Sequence, residues 1–286
     1  MKNRLPSWFK QEIPDANLIG ERVALFKKLR LNTVCQSAHC PNIFDCFKRK
    51  TATFMILGDT CTRDCRFCAV KKGEPQIVDS GEPENIVSAV KVLELNYVVI
   101  TSVTRDDLQD GGANRFAQIV NLLHSKLPQV KVEVLIPDFK GKKESLVTVA
   151  QSHPEVIGHN LETISRLYPQ IRPQADYQRS LDLLAQVKEI DNSIITKSGI
   201  MAGLGEDFAE IIKAMVDLRE VDCDILTIGQ YLSPSASHLP VERFVTKEEF
   251  AELERIALSM GFRGASCAPL ARSSYHSAEV FAQCMM

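Results

Sequence analysis

The sequence lacks the features that direct a chain into or across a membrane. No apolar run approaches the roughly 18 residues that a membrane helix needs. The N-terminus carries no charged-then-apolar leader and the C-terminus no lipidation motif, so a soluble, cytoplasmic protein is expected. Charge of one sign is also missing. A net charge of −2 and a pI near 6.3 argue against a general nucleic-acid binder, though they leave room for a local basic patch. No low-complexity segment or long linker interrupts residues 53–270, which implies one domain there. What remains is ordinary globular composition, 45% hydrophobic and 24% charged over 286 residues. A chain of that size buries roughly three quarters of its unfolded surface and needs no covalent staples to fold. In a reducing compartment thiols persist, so clustered cysteines point to metal or redox chemistry more than to bridges.

Cysteine is clustered. Six of the nine lie between Cys35 and Cys68. They form two triplets, Cys35-x4-Cys40-x5-Cys46 and Cys61-x3-Cys65-x2-Cys68. Three thiols are an awkward number for disulfides and one ligand short of a closed structural zinc site. They suit an iron–sulfur cluster in which one iron is left to another ligand. For the second triplet, zinc lacks a fourth ligand, because no histidine occurs within 61–80. A thioredoxin-like pair from Cys65 and Cys68 has no second feature behind it. Buried structural cysteines would not normally sit among Thr62, Arg63, Asp64 and Arg66. For the first triplet, His39 could complete a Cys3His zinc site, and on these residues alone zinc and a cluster both stand. Cys223 and Cys267 read as core residues, and Cys284 as incidental to a short tail.

From residue 53 a β–α rhythm begins. Strand-like runs fall at 53–57, 97–101, 132–136, 155–159, 193–197, 224–228 and 262–266. Helix-like segments between them include 83–95, 207–218 and 246–260, the last opened by a capping box, Thr246 to Glu249. Residues 1–34 begin with a basic, aromatic stretch (Lys2, Arg4, Trp8, Phe9, Lys10) and continue as an amphipathic segment with Val23, Leu25, Phe26 and Leu29. They read as an arm packed on the body. Successive β–α units imply a parallel sheet with right-handed crossovers. Polar residues follow nearly every strand: Cys61 to Cys68, Arg105 to Asp107, Asn160 and Glu162, Lys197 to Gly199, Gly229 to Tyr231, and Arg272 to Tyr275. Active residues at many strand ends favour a closed or partial β/α barrel over a doubly wound sheet with one switch point.

The second triplet, with Phe67 just before its last cysteine, resembles the Cys-x3-Cys-x-aromatic-Cys signature of the radical S-adenosylmethionine superfamily. That resemblance implies a 4Fe–4S cluster on the first β–α loop of a partial β/α barrel, with S-adenosylmethionine on the open iron and cleaved to a 5′-deoxyadenosyl radical. Longer stretches resemble one family within it, the lipoyl synthases. They include NTVCQSAHCPNIFDC, VVITSVTRDDLQDGGA, GHNLETISRLYPQIRPQADYQRSL, TKSGIMAGLGE, DILTIGQYLSPSASHLPVERF and RSSYH, and together they span almost all of 32–277. The resemblance implies that Cys35, Cys40 and Cys46 hold a second, auxiliary 4Fe–4S cluster whose fourth ligand is a serine of Arg272–Tyr275. Ser274 is the assigned ligand, with Ser273 the runner-up. Without the family, both serines read as turn hydroxyls capping a last helix from about residue 276. The auxiliary cluster would supply the two sulfur atoms of lipoate and be consumed. A hard serine oxygen in place of a soft thiolate suits a cluster meant to come apart.

The resemblance further implies sulfur insertion at C6 and C8 of an octanoyl chain carried on a lysine of a lipoyl carrier protein. The carriers would be lipoyl domains of 2-oxoacid dehydrogenases or the glycine cleavage H protein. Neither carbon is acidified by a neighbour, so base catalysis has nothing to act on and a radical cofactor must do the work. A reducing donor such as ferredoxin or flavodoxin and an iron–sulfur carrier for repair are implied, with neither nucleic acid nor membrane as partner. Phe67 is expected near adenine. Asn160, Glu162, Lys197 and Ser198 are candidate contacts to S-adenosylmethionine, weighed against ordinary loop-organising hydrogen bonds. Arg272 would gate the auxiliary cluster or pair within its loop. Lys140, Lys142 and Lys143 are candidates for a basic rim facing an acidic carrier, against a plain solvated charge run. The chain divides into a triplet-bearing extension at 1–50, a barrel core at 51–270 and a C-terminal extension at 271–286. Ser266 to Leu270 departs from the family's Gly-Pro pattern, which puts local backbone shape in doubt. The competing readings are a biotin synthase-like or methylthiotransferase-like enzyme, and a zinc-stabilised binding protein without catalysis.

Overall fold

The computed structural model describes residues 5–9, 16–48 and 53–285, so Lys2, Arg4 and Lys10 of the N-terminal stretch lie outside it. Helix α1 (Ala16–Lys28) leads into a two-residue strand, β1 (Asn32–Thr33), and two short helices, α2 (Val34–Ser37) and α3 (Ile43–Lys48). Phe26 of α1 is buried edge-on against Phe54, with ring centroids 5.9 Å apart, and this fixes the arm to the body. Strand β2 (Thr53–Ile56) is followed by a small parallel pair, β3 (Thr60–Cys61) and β4 (Lys71–Lys72). Then come α4 (Glu82–Leu93), β5 (Tyr97–Ser102), α5 (Ala113–Lys126), β6 (Lys131–Leu135), α6 (Lys143–Ala150) and β7 (Val156–Gly158). The chain continues through α7 (Tyr168–Ile171), α8 (Tyr177–Ile190), β8 (Ile195–Ala202), α9 (Phe208–Glu220) and β9 (Ile225–Gln230). It closes with α10 (Lys247–Ser259), β10 (Gly264–Ala268) and α11 (Ser277–Cys284). Among the described residues no helix is long and apolar enough to cross a membrane.

The main sheet runs β1-β2-β5-β6-β7-β8-β9-β10, and only β1 is antiparallel. Its edges are β1 and β10, so of the closed and partial barrels that the polar strand ends left open the sheet is the partial one, as the family resemblance implied. Strands such as β9 (ILTIGQ) are buried at every position, as parallel strands covered on both faces must be. The expected capping box on α10 is present: Thr246 accepts from Glu249 N and the Glu249 side chain from Thr246 N. Asp207 and Glu210 form a second box at the start of α9.

Two strand ends differ from expectation. β8 runs to Ala202 and β9 to Gln230, so Lys197, Ser198 and Gly199, and likewise Gly229 and Gln230, lie within strands and not after them. The reason is visible across the sheet. Ile195, Lys197 and Gly199 occupy alternate positions on β8, as Ile225 and Gly229 do on β9, and these face the lumen in layers. At the bottom, Val156, Ile195 and Ile225 pack on Val280, Phe281 and Cys284 of α11. Above them sits a buried polar layer, Glu133 and Lys197. Higher still, a Cβ on Gly229 would stand 2.0 Å from the Ala271 carbonyl oxygen, and one on Gly199 2.7 Å from Ser273 Oγ. Glycine at both positions lets the C-terminal segment cross the lumen. Cys284 is therefore a plug residue, buried under Gly264, and not an incidental tail residue. Cys223 and Cys267 are buried, as expected.

Candidate functional site

The second triplet follows β2 on the first β–α loop. Its backbone is tied down from several sides. Thr62 N and Oγ1 both donate to the Thr104 carbonyl, at 3.0 and 2.9 Å, and Asp106 N donates back to Thr62 Oγ1. Arg66 N reaches the Ile171 carbonyl at 2.9 Å, and a His238 ring nitrogen lies 3.2 Å from the Cys68 carbonyl. Between the cysteines, Arg63 points inward. It holds Asp106 at 2.8 and 3.0 Å and Asp138 at 2.5 Å, joining the loops after β2, β5 and β6. Burial pushes the Asp138 carboxyl up, but the Arg63 hydrogen bond and charge outweigh it and hold the group at about 2. Sequence reading noted Arg63 only as a polar neighbour; no spacing rule announces a buried clamp.

The three thiols are neighbours and share an environment. Burial raises the Cys68 thiol to about 12, and proximity to Cys65, Cys61 and Glu162 adds to that effect. Burial also raises Cys65, although the Arg172 guanidinium beside it pulls the other way. Cys61 Sγ accepts from Arg63 N at 3.4 Å and Thr104 N at 3.3 Å. Phe67 is partly buried against the core beside them.

Across the mouth, Asn160 and Glu162 meet: Asn160 Nδ2 donates to Glu162 Oε1 at 3.0 Å. Glu162 has φ of +65° and is held there by Gly199 and Met201 backbone partners. Enclosure pushes its carboxyl up, opposed by Arg172, Asn160 and Arg272. Arg172, absent from the sequence expectations, donates from one guanidinium nitrogen to the Asn160 and Leu161 carbonyls, each at 2.9 Å. Two candidates are engaged elsewhere. Ser198 Oγ accepts from Leu161 N at 3.2 Å and organises that loop. Lys197 Nζ spends its three protons on Glu133, at 2.9 and 3.1 Å, and Ser277 Oγ, at 2.9 Å.

The first triplet is joined to the far C-terminus. Cys35 is buried and its thiol stands at about 11, raised first by burial and further by Cys40. Asn42 Nδ2 donates to the Leu270 carbonyl at 2.6 Å, and Tyr275 OH to Asp45 Oδ2 at 3.0 Å. Cys46 and Ser274 line one cavity of about 270 Å³, together with Thr53, Tyr97 and Tyr275. Ser273 turns the other way, its hydroxyl donating to Asn160 Oδ1 at 2.9 Å. Burial lowers Arg272, while Cys40 on one side and Glu162 on the other favour its charge, so it lies between the two sites. His39 is exposed, on left-handed backbone with φ of +51°. Lys140, Lys142 and Lys143 are exposed beyond β6, with Lys142 Nζ donating to the Gln109 carbonyl at 2.5 Å.

These donor sets fit iron–sulfur clusters. Among the described residues no group of three His, Cys, Asp or Glu side chains converges tightly enough to hold a single metal ion. A four-iron cube asks for something else, thiolates spread around its corners and not gathered on one point. Ser102 Oγ, at the C-terminal end of β5, and Arg172 Nε are buried without a protein hydrogen-bond partner, as polar atoms awaiting a ligand would be.

Residues 55–218 match the family described as the Radical SAM superfamily. A lipoyl synthase of Caldicellulosiruptor saccharolyticus is 52% identical over 279 residues, covering 98% of both chains. One of Aquifex aeolicus is 54% identical over 255 residues, covering 89% of this chain and 92% of its own. Among solved structures, methylornithine synthase superposes with a TM-score of 0.56 at 18% identity, over 73% of this chain and 61% of that one. HydG, a maturase of the FeFe hydrogenase, gives 0.60 at 15% identity, over 89% and 57%. The chain thus spans less than two thirds of either structure, and the likeness to them is one of fold.

Proposed function

The chain belongs to the lipoyl synthases of the radical S-adenosylmethionine superfamily, and on that premise we propose how its residues divide the reaction. It is a sulfur-inserting enzyme that acts on an octanoyl chain borne by a lipoyl carrier, using S-adenosylmethionine and a 4Fe–4S cluster. Cys61, Cys65 and Cys68 hold that cluster. When bound, cluster and S-adenosylmethionine supply a 5′-deoxyadenosyl radical, one equivalent for each of the two carbons to be opened.

The chain's own residues bind, orient and exclude water. The buried Arg63–Asp106–Asp138 clamp keeps the triplet loop in one shape. Asn160 and Glu162 take the polar end of S-adenosylmethionine, Phe67 packs near adenine, and Arg172 and Ser102 offer the buried donors still without partners. Lys197 and Ser198 support the strand beneath. Cys35, Cys40, Cys46 and Ser274 hold the auxiliary cluster, which is the sulfur-donating substrate, and Ser273 stays on the Asn160 side. The described residues of the 1–50 and 271–286 extensions together form this auxiliary half beside the barrel core. The observation that carries the reading is the joining of Leu270–Tyr275 to Asn42 and Asp45, with Ser274 and Cys46 on one cavity. Lys140, Lys142 and Lys143 meet an acidic carrier at the strand C-terminal mouth, a ferredoxin or flavodoxin supplies electrons, and an iron–sulfur carrier restores the spent cluster.

The test is incubation of anaerobically reconstituted protein with an octanoylated carrier domain, reductant and S-adenosylmethionine, read by mass spectrometry of the carrier. Wild type should give lipoyl product. Cys61→Ala, Cys65→Ala or Cys68→Ala should abolish 5′-deoxyadenosine, whereas Cys35→Ala, Cys40→Ala or Cys46→Ala should spare it and stop sulfur insertion. Equal loss of 5′-deoxyadenosine in both sets would refute the division of labour.

A further inference from the structure

Lys197 and Glu133 form an ion pair deep in the lumen, 2% and 1% exposed, below the mouth where the chemistry occurs. Desolvating two charges costs about as much as their attraction returns, so stability alone is a weak reason for such a pair. Its connections are more telling. Tyr97 OH donates to Glu133 Oε2 at 2.6 Å, and the Lys197 proton not given to Glu133 goes to Ser277 Oγ at 2.9 Å. Ser277, the first residue of α11, passes its own proton to the Ser273 carbonyl at 3.0 Å. Ser274 follows directly, on the cavity it shares with Cys46.

We propose that the Lys197–Glu133 pair is a register pin for the C-terminal segment: through Ser277 it sets the depth at which Ser274 stands beside Cys46. The inference rests on the reading of Ser274 as the auxiliary cluster's ligand. Below the pin, Val280, Phe281 and Cys284 of α11 pack on Val156, Ile195 and Ile225, and the exposed Arg263 donates to the Cys284 carbonyl at 2.7 Å. The apolar contact is non-directional, and a long exposed arginine can follow the helix, so neither fixes its depth along the lumen. A buried ammonium with three assigned acceptors does. One residue of slip would carry Ser274 away from Cys46 and swing Ser273 off Asn160. Lys197, Glu133 and Ser277 are thus positioning residues for the one ligand that is not a cysteine.

The experiment uses the full chain in two reconstituted backgrounds. One keeps only the auxiliary site (Cys61→Ala, Cys65→Ala and Cys68→Ala together); the other keeps only the radical site (Cys35→Ala, Cys40→Ala and Cys46→Ala together). Into each go Ser277→Ala and, separately, the pair Lys197→Met with Glu133→Gln, which leaves no buried charge unpaired. Iron release to a chelator is followed by visible absorbance, and hydrogen–deuterium exchange is read over 271–284. Losing one buried hydrogen bond should speed release from the auxiliary site roughly three- to tenfold, with faster exchange of the segment. Release from the radical site should not change. Unchanged exchange, unchanged auxiliary release, or equal acceleration at both sites would each overturn the pin. Ser274→Ala in the auxiliary background shows which idea fell. If it speeds release while the pin variants do not, the pin is wrong; if it too is silent, Ser274 is not the ligand.

Discussion

Ser273 and Ser274 are chemically identical neighbours with different surroundings. Ser273 donates to Asn160, and Ser274 lines the cavity with Cys46. Their family motif could be read from the sequence, but which hydroxyl faced which way could not, because that depends on the phase at which the segment enters the lumen. Ser274→Ala should therefore lower auxiliary iron and stop sulfur insertion. Ser273→Ala should keep the iron but raise the KM for S-adenosylmethionine roughly fivefold, the value of one hydrogen bond that orients Asn160. Iron assay and steady-state kinetics separate the two; swapped phenotypes would make Ser273 the ligand. Arg63 gives a second test at this scale. Removing it as Arg63→Met leaves Asp138, 2% exposed, with Arg179 at 3.2 Å as its remaining cationic partner among the described residues, and should cost about 3–5 kcal/mol in denaturant unfolding. The pH dependence follows from Asp138. Its folded value of about 2 lies below the ordinary carboxylate value of about 4, so its contribution is complete above that ordinary value and fades as pH falls towards about 2. Wild type should exceed Asp138→Asn by about 2 kcal/mol near neutrality, with the difference shrinking in acid. A gap that widened on acidification would contradict the assignment.

At the scale of elements, what was legible was whatever local chemistry announces. Thr246 and Glu249 marked the start of α10, and Thr246→Ala should cost about 1 kcal/mol by thermal or urea unfolding. The end of β8 was not legible. Lys197, Ser198 and Gly199 look like loop residues, and become strand residues only because the lumen contains partners for them: Glu133 and Ser277 for the lysine, the crossing chain for the glycine. The descent of α11 into the barrel has no local signature at all, since its apolar face matches surfaces from β7, β8 and β9 that are far apart in sequence. Gly229 makes that packing testable. A methyl there would press on the Ala271 backbone at 2.0 Å, and neither backbone can swing aside as a side chain would. Gly229→Ala should displace 271–275, expose it to limited proteolysis and lose auxiliary iron while the barrel still folds. Full retention of auxiliary iron would mean that the crossing is looser than its contacts imply.

For the whole molecule, the β–α rhythm carried the parallel sheet, the polar strand ends a barrel, closed or partial, and the cysteine spacing the radical-cluster loop; the way the two chain ends assemble is written in contacts between residues 42–46 and 270–275. The C-terminal segment is at once the strap that brings Ser274 to the cavity of Cys46 and the floor of the barrel. Deleting residues 271–286 therefore combines two effects that the point variants keep apart. It removes Ser274 from the cavity that it shares with Cys46, and it opens Val156, Ile195 and Ile225 to water. It also removes Ser277 from Lys197 and Tyr275 from Asp45, so the triplet arm loses an attachment to the barrel. The radical triplet keeps its clamp, because Arg63, Asp106 and Asp138 all lie outside the deleted segment. On the proposed assignment the truncated chain should hold about four irons and the intact one about eight, since one of two cluster sites would survive. It should unfold at a lower temperature, still release some 5′-deoxyadenosine, and give no lipoyl product. Elemental analysis, thermal unfolding and mass spectrometry of the carrier check each expectation. A truncated protein that retained about eight irons would show that the first triplet closes its site without the C-terminus, and the joining of the two chain ends would then need another explanation.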